Sequence, residues 1–459
     1  MNLQRNSWEQ REVQSFFHTF TDLPSLRAYG PTVVERGEGI YVFDVHGKRY
    51  IEGNSGLWNI VLGYDEPRLV EAATAQYQRF PAYHTFFGRN TMPTVELAER
   101  LLAIAPTPMS RVFFTNSGSE ANDSVVKLLW LMHAGAGQPK RRKMISRKNA
   151  YHGTTVMTSS LTGKDYVQAF GLPLPDVLFA DCPHYWRYAE PGESEAAFTS
   201  RLAQNLDKLI QKEGPETIAG FIAEPVMGAG GVVPPPAGYF PAVQAVLRKY
   251  EIPFVADEVI CGFGRTGNLW GCQTYDIKPD IIVASKVLTA GYFPMGAVML
   301  SSTIDRKLTA ACERYEEFPH GFTTGGHPVG SAIALKSIEI ITDGGVLENV
   351  RRVGPAFQAK LQSLADHPLV GEARGVGLMG ALEIVADRKA KAAFAGNLQV
   401  GERIATAARE RGLIIRPIGA SVVMAPPFII TLAQIDEFFR ILKQTLDTVW
   451  EQVKTHAKH

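Results

Sequence analysis

Lys286 is the single charged side chain between residues 281 and 300. Loss of hydration disfavours the ammonium form, so the pKa of a desolvated lysine falls and its neutral amine can attack an aldehyde. Lysines are seldom buried without a partner or a role, although snorkelling to solvent is the commoner fate of one lysine in an apolar run. Upstream, Phe254-Val255-Ala256-Asp257-Glu258-Val259 is an apolar strand that delivers an acid at its end. Ligand sites in open α/β sheets gather beyond the carboxyl ends of the strands, where Asp257 would stand. An aspartate there can keep a pyridine nitrogen protonated, the charge partner that pyridoxal chemistry requires; its ordinary alternative is a turn or helix cap.

A third feature precedes both. Thr115-Asn116-Ser117-Gly118-Ser119-Glu120 separates an apolar strand, Arg111–Thr115, from a helix expected to begin near Ala121. A loop of small residues opening a helix presents free N–H groups and the positive end of a dipole, so a phosphate would fit there. Alone, the loop reads equally well as helix capping. The order changes the reading, because phosphate loop, strand-end acid and strand-end lysine follow one another within one sheet. Gly262-Phe263-Gly264-Arg265-Thr266-Gly267 formally matches the dinucleotide fingerprint, but residues 268–279 hold Gly271 and Pro279 and little helical pattern. NAD is therefore discounted, and the glycines read as a close passage of backbone past a neighbouring loop or subunit.

The elements that must position these groups alternate. Apolar runs of strand length at Arg111–Thr115, 219–223, 253–256 and Ile281–Ala284 are separated by longer helix-like stretches. That texture predicts a mostly parallel sheet covered on both faces. The apolar stretch 281–300 is long enough to span a membrane, but Gly291, Pro294 and Gly296 break it into strand, loop and a second strand at Gly296–Leu300. From about Ser331 the pattern changes to helices over 332–343 and 347–365, a Gly-rich strand-like piece at 375–384 and a last amphipathic helix from Leu432, which predicts a smaller α+β domain.

With 459 residues, 45% hydrophobic and 20% charged, the chain can build two or three packed domains. Its 47 basic and 46 acidic residues nearly cancel, so no long-range field gathers nucleic acid or an anionic membrane. Residues 1–15 are polar, without the apolar core of a secretory signal, and the expected location is the cytoplasm. Cys182, Cys261, Cys272 and Cys312 show no metal or disulfide spacing, and no metal is called for.

Ser117-Gly118-Ser119-Glu120, Tyr151-His152-Gly153, Glu224-Pro225, Asp257-Glu258-Val259 with the run 262–267, and Ser285-Lys286 resemble the class III, fold type I aminotransferases, over essentially the whole chain. Gly56-Leu57-Trp58, the aromatic segment 83–87 and Pro319-His320-Gly321-Phe322-Thr323 are similar to the (S)-selective amine:pyruvate transaminases, or ω-transaminases, within that class. The resemblance implies a seven-stranded, mostly parallel central sheet, with an N-terminal segment (1–60) joining the small domain, a large cofactor-binding domain (61–330) and a small C-terminal domain (331–459). It implies pyridoxal 5'-phosphate as cofactor, with Lys286 as Schiff-base lysine and Asp257 on the ring nitrogen. Gly118 and Ser119 would bind the phosphate, joined by Thr323 of the partner subunit. Tyr151 and Val259 would pack on the two ring faces, with His152 and Glu224 also at the cofactor. Phe20, Leu57, Trp58, Phe86, Phe87, Tyr151 and Ala229 would line the substrate pocket. Arg416 would be a movable carboxylate binder, held by Glu224 when no acid is bound, unless Glu224 instead tunes the ring.

The activity so implied is ping-pong transfer of an amino group from an apolar, aromatic or ω-amino compound to pyruvate, giving alanine, in a homodimer or a tetramer. Decarboxylation or an aminomutase shift would use the same cofactor residues, and a non-catalytic scaffold would not need Lys286. One departure is expected to matter. Relatives often carry serine before Gly-His-Pro, where this chain has Thr324-Gly325-Gly326-His327-Pro328, and Gly325 should add backbone freedom beside the phosphate site.

Overall fold

The structure, a computed structural model, describes residues 6–457; the outermost residues of the ranges 1–60 and 331–459 lie outside it. Seven strands form the central sheet: β1 (Arg111–Thr115), β2 (Lys143–Arg147), β3 (Val177–Ala180), β4 (Ile218–Ala223), β5 (Phe254–Asp257), β6 (Ile281–Ala284) and β7 (Gly296–Leu300). Their spatial order is β1-β7-β6-β5-β4-β2-β3. β7 runs antiparallel to both neighbours and the remaining pairs are parallel. β4 to β7 are buried throughout, as an apolar strand covered on both faces must be. The α/β class and the mostly parallel sheet are thus as the sequence implied.

The helix after β1 spans Gly118–Gly135, three residues earlier than expected. Ser117 Oγ accepts the Glu120 N–H at 3.1 Å, so the cap precedes the small residues instead of following them. The helices at the change of texture run Pro328–Thr342 and Val346–Gln362. The piece predicted at 375–384 is a hairpin, Val370–Val376 with Met379–Ile384. Gly377 turns it at φ +56°, and a Cβ there would lie 2.4 Å from Arg265 O.

The C-terminal sheet orders Val370–Val376, Met379–Ile384, Ser421–Met424 and Arg416–Ile418, all antiparallel. The N-terminal strands Val34–Glu38, Tyr41–Asp44 and Arg49–Glu52 form another sheet, closed by Leu413–Ile414 pairing parallel to Arg49–Glu52. One apolar core runs through these parts, from Ile51 and Phe254 to Phe357 and Phe438. The glycine run 262–267 has a packing role. Gly264 (φ +124°) approaches the Phe428 ring, and buried Arg265 donates to the carbonyls of Leu378 (3.0 Å) and Pro426 (2.6 Å) in the C-terminal part. No described helix is long and apolar enough to cross a membrane.

Candidate active site

Asp257 ends β5 and is buried. Its Oδ2 accepts from His152 Nδ1 at 2.7 Å and Asn122 Nδ2 at 2.8 Å, and its Oδ1 accepts from the Val259 N–H at 3.1 Å. The contact to a carboxylate assigns the proton of His152 to Nδ1. Asn122 also donates to His152 O at 2.8 Å, which ties the Tyr151-His152 turn to the helix Gly118–Gly135. Asn122 was not singled out from the sequence. Its signal was present, since it lies four residues after Gly118 and is therefore a polar residue on the face that turns toward the sheet.

Glu224, at the end of β4, is fully buried, and burial pushes its carboxyl up from the ordinary carboxylate range. Its oxygens accept the N–H groups of Tyr151 (3.1 Å) and Gly228 (2.9 Å). Glu224 forms no ion pair with Arg416, contrary to one of the two roles considered for it. The carboxylate is occupied by backbone donors and so sets the position of Tyr151. Arg147 donates to Glu224 O at 2.6 Å, reinforcing the same corner.

Lys286 follows β6 with φ +46°, a left-handed conformation uncommon for a residue with a Cβ. Ser285 Oγ donates to Met295 O at 2.7 Å and braces the turn. The Lys286 side chain is enclosed by protein yet keeps some exposure to the cavity. Burial, and then the nearby charge of Arg416, lower its pKa to about 8, against the opposing pull of Asp257 and Glu224. Its Nζ donates to Leu57 O at 3.0 Å. The turn that offers this carbonyl has positive φ at Ser55, Gly56 and Trp58. It is held by Ser55 Oγ donating to Ala425 O (2.7 Å) and by Arg265 donating to Ser55 Oγ (3.2 Å).

The first turn of the helix Gly118–Gly135 faces this group. A Cβ at Gly118 would lie 3.0 Å from a Val259 methyl and 3.5 Å from Ser285 Cβ, so a side chain there would have to push Val259 aside. A Cβ at Gly153 would lie 2.6 Å from Ser119 Oγ, and Ser119 Oγ accepts the Thr154 N–H at 3.1 Å. The helix start therefore supplies an anion seat beside a buried acid and a partly dehydrated lysine. Phosphate, ring nitrogen and aldehyde of pyridoxal 5'-phosphate each meet a complementary group, and the residues fit that cofactor.

Arg416 is half-buried and, among the described residues, makes no side-chain hydrogen bond or ion pair. Burial lowers its pKa while Tyr151 and Tyr166 pull the other way, which places it on the side of the cavity where those rings stand. Phe20 is 64% exposed and meets Tyr166 edge-on at 5.7 Å. Lys164 donates to Ala229 O at 2.6 Å, and burial lowers its pKa. Neither Lys164 nor Tyr166 carried a motif by which the sequence could have revealed it.

The remaining pocket residues are not brought together. Trp58 is 2% exposed, in a cluster with Val226, Ile260 and Val423, whereas the Leu57 side chain is exposed. Phe86 and Phe87 line a separate groove of about 900 Å³ with Phe113, Phe318 and Phe322, and Phe87 is 86% exposed. Within one protomer, then, Phe20, Trp58, Phe86 and Phe87 do not share a pocket, and the substrate pocket expected of them would have to draw on both subunits. The local chain directs the 83–87 loop toward residues 317–322. Thr323 is exposed, while Thr324 donates to Asn116 Oδ1 at 2.7 Å. Gly325 adds no freedom either. Its φ is not left-handed, and a Cβ there would lie 2.6 Å from Phe114 O, so glycine answers a close approach; the positive φ belongs to Gly326 (+75°).

Residues 26–446 match the model of the class-III aminotransferase family. The chain is 56% identical to an aminotransferase from Vibrio fluvialis in its PMP-bound form, covering 98% of this chain and 100% of that one with a TM-score of 0.97. It is also 56% identical to an ω-aminotransferase from Paracoccus denitrificans, over 97% of this chain and 100% of that one, with a TM-score of 0.96. A chloroplastic gamma aminobutyrate transaminase 3 from Solanum lycopersicum is 46% identical over 434 residues, 93% of this chain and 83% of that protein.

Proposed function

The chain belongs to the class-III aminotransferases, pyridoxal-phosphate enzymes, and from that premise we propose that it moves an amino group from a hydrophobic primary amine to pyruvate. The observation that carries this reading is Arg416, a guanidinium with no side-chain partner among the described residues that stands near enough to Lys286, Tyr151 and Tyr166 for their charges to act on one another. A buried guanidinium seeks a carboxylate, and a keto acid brings one. The aromatic surroundings suit the other half-substrate, an amine without a carboxylate. An ω-amino acid donor is a second reading, favoured by the additional cation at Lys164.

The cofactor, when bound, supplies an electrophilic carbon and an electron-withdrawing ring that acidifies the α-proton of an attached amine. In the proposed assignment, Asp257 holds the proton on the ring nitrogen, steadied by His152 and Asn122. Gly118 and Ser119 seat the phosphate through the helix start. Tyr151 and Val259 pack against the ring, with the Tyr151 backbone set by Glu224. Lys286 Nζ takes the proton from the substrate carbon and returns it in the next step; a pKa near the working pH suits both directions. Leu57 O then accepts an N–H of the freed amine and keeps it facing the substrate. Because both half-substrates use one site in turn, the kinetics are ping-pong.

We further assign a homodimer. Phe87 and Thr323 are exposed and Phe86 is half-buried in the groove beside residues 317–322, and a twofold partner is the usual way to complete such a site. Domain limits at 60/61 and 330/331 and a cytoplasmic location belong to the same proposal. Holoenzyme mixed with 1-phenylethylamine and pyruvate should yield alanine and ketone in equal amounts. Carbon dioxide or an isomerised amine without alanine would replace transamination to pyruvate by decarboxylation or a mutase shift.

A further inference from the structure

His320 uses both ring nitrogens. Nδ1 lies 2.9 Å from Lys127 Nζ and Nε2 lies 2.8 Å from Ser124 Oγ. An ammonium can only donate, so Nδ1 is the acceptor. Ser124 Oγ in turn donates to Glu120 O at 2.7 Å, leaving its lone pairs for the His320 Nε2–H. These bonds fix the neutral tautomer, and burial together with the Lys127 charge agrees by lowering the His320 pKa to about 4. The ring is stacked on Phe113 at 5.4 Å and met edge-on by Phe318 and Phe322.

Four residues later the same segment is fastened again. Thr324 donates to Asn116 Oδ1, and the Asn116 N–H and amide both donate to Glu120 Oε2, at 2.7 and 3.0 Å. His320 and Thr324 are therefore both tied to the helix start that carries Gly118 and Ser119, His320 at Ser124 and Lys127 and Thr324 at Asn116. Between the two anchors Thr323 is exposed and, among the described residues, has no hydrogen bond within its own protomer.

We propose that His320 is a positioning residue for cofactor binding, a latch that holds segment 320–324 on the first turns of the helix Gly118–Gly135 so that Thr323 meets the cofactor phosphate of the second subunit. The inference rests on the dimer proposed above. One helix start then serves two phosphates, its own through Gly118 and Ser119 and its partner's through Thr323.

The test compares apo preparations of wild type, His320→Leu, Thr323→Ala and the double variant, each titrated with pyridoxal 5'-phosphate by visible absorbance, with sedimentation velocity alongside. Leucine keeps the apolar packing and removes both hydrogen bonds. His320→Leu should weaken cofactor binding about tenfold while the dimer persists, a loss on the scale of one charge-assisted hydrogen bond. The double variant should be no weaker than Thr323→Ala, because both changes act on the same contact. Wild-type affinity in a dimeric His320→Leu, or losses that multiply in the double variant, would overturn the latch alone. A cofactor-loaded wild-type monomer would instead overturn the dimer reading. Should His320→Leu fail to fold, Ser124→Ala removes the acceptor of the latch and is held to the same outcomes.

Discussion

The floor around Asp257 and the rim around Arg416 are built on opposite terms. On the floor Asp257, His152, Asn122 and Glu224 are buried, and the contacts of each carboxylate lie within the protomer. On the rim the Arg416 side chain has no hydrogen-bond partner among the described residues, and Phe20 and Leu57 are exposed. The difference teaches which part must be rigid and which must adapt. A single cofactor chemistry calls for fixed charges that need no reorganisation. Two unlike half-substrates, one with a carboxylate and one without, call for a cation that can be left unpaired.

The largest break in this comparison is at Lys286. Lys286→Ala should lower turnover at least about a thousandfold through loss of the proton carrier, while the anion seat still retains cofactor. Its absorbance should then be that of the free aldehyde, and turnover near wild type would remove Lys286 from the mechanism. Asp257→Asn comes next, with a loss of about a hundredfold, as for removal of one preorganised charge partner. Circular dichroism should show the fold intact, since His152 and Asn122 can still bond an amide oxygen. Retained activity would mean that the ring nitrogen needs no charge partner here.

Arg416→Ala sharpens the contrast, because it should damage one half-reaction and spare the other. Losing the guanidinium should cost the pyruvate step about 2–5 kcal/mol. The amine step, followed in a single turnover, should change little. Equal damage to both would make Arg416 structural.

The smallest effect is a pH dependence. Only the neutral amine of Lys286 captures the aldehyde cofactor, and burial brings its pKa down to about 8. Loading of apo enzyme should therefore accelerate as pH rises and level off above about 8, instead of continuing to climb toward the ordinary lysine range. A climb that persists to pH 10 would mean that Lys286 is solvated in the apo protein.

The chemistry of the floor was legible in the chain. Lys286 and Asp257 end apolar strands, and a parallel sheet delivers strand ends to one edge, so residue type and periodicity sufficed. Gly118 and Ser119 were found for the same local reason, although Ser117 caps the helix earlier than the apolar pattern suggested. Asn122 lay within reach of that logic, being one helical turn further on. Lys164 and Tyr166 did not, because they sit in a connection without periodicity and acquire meaning only from the strand ends opposite them.

What the sequence determined by itself is therefore the set of groups whose position follows from neighbours a few residues away: the strands, the helix start, the acid and the lysine. Tertiary structure alone decided that Leu57 O receives the Lys286 amine, that Glu224 holds backbone and not Arg416, that Gly325 relieves a close approach, and that Phe86 and Phe87 line a groove with residues 317–322. Each of these depends on segments distant in sequence meeting at a few ångströms. Side-chain period and residue type constrain such a meeting only through the packing of the whole core.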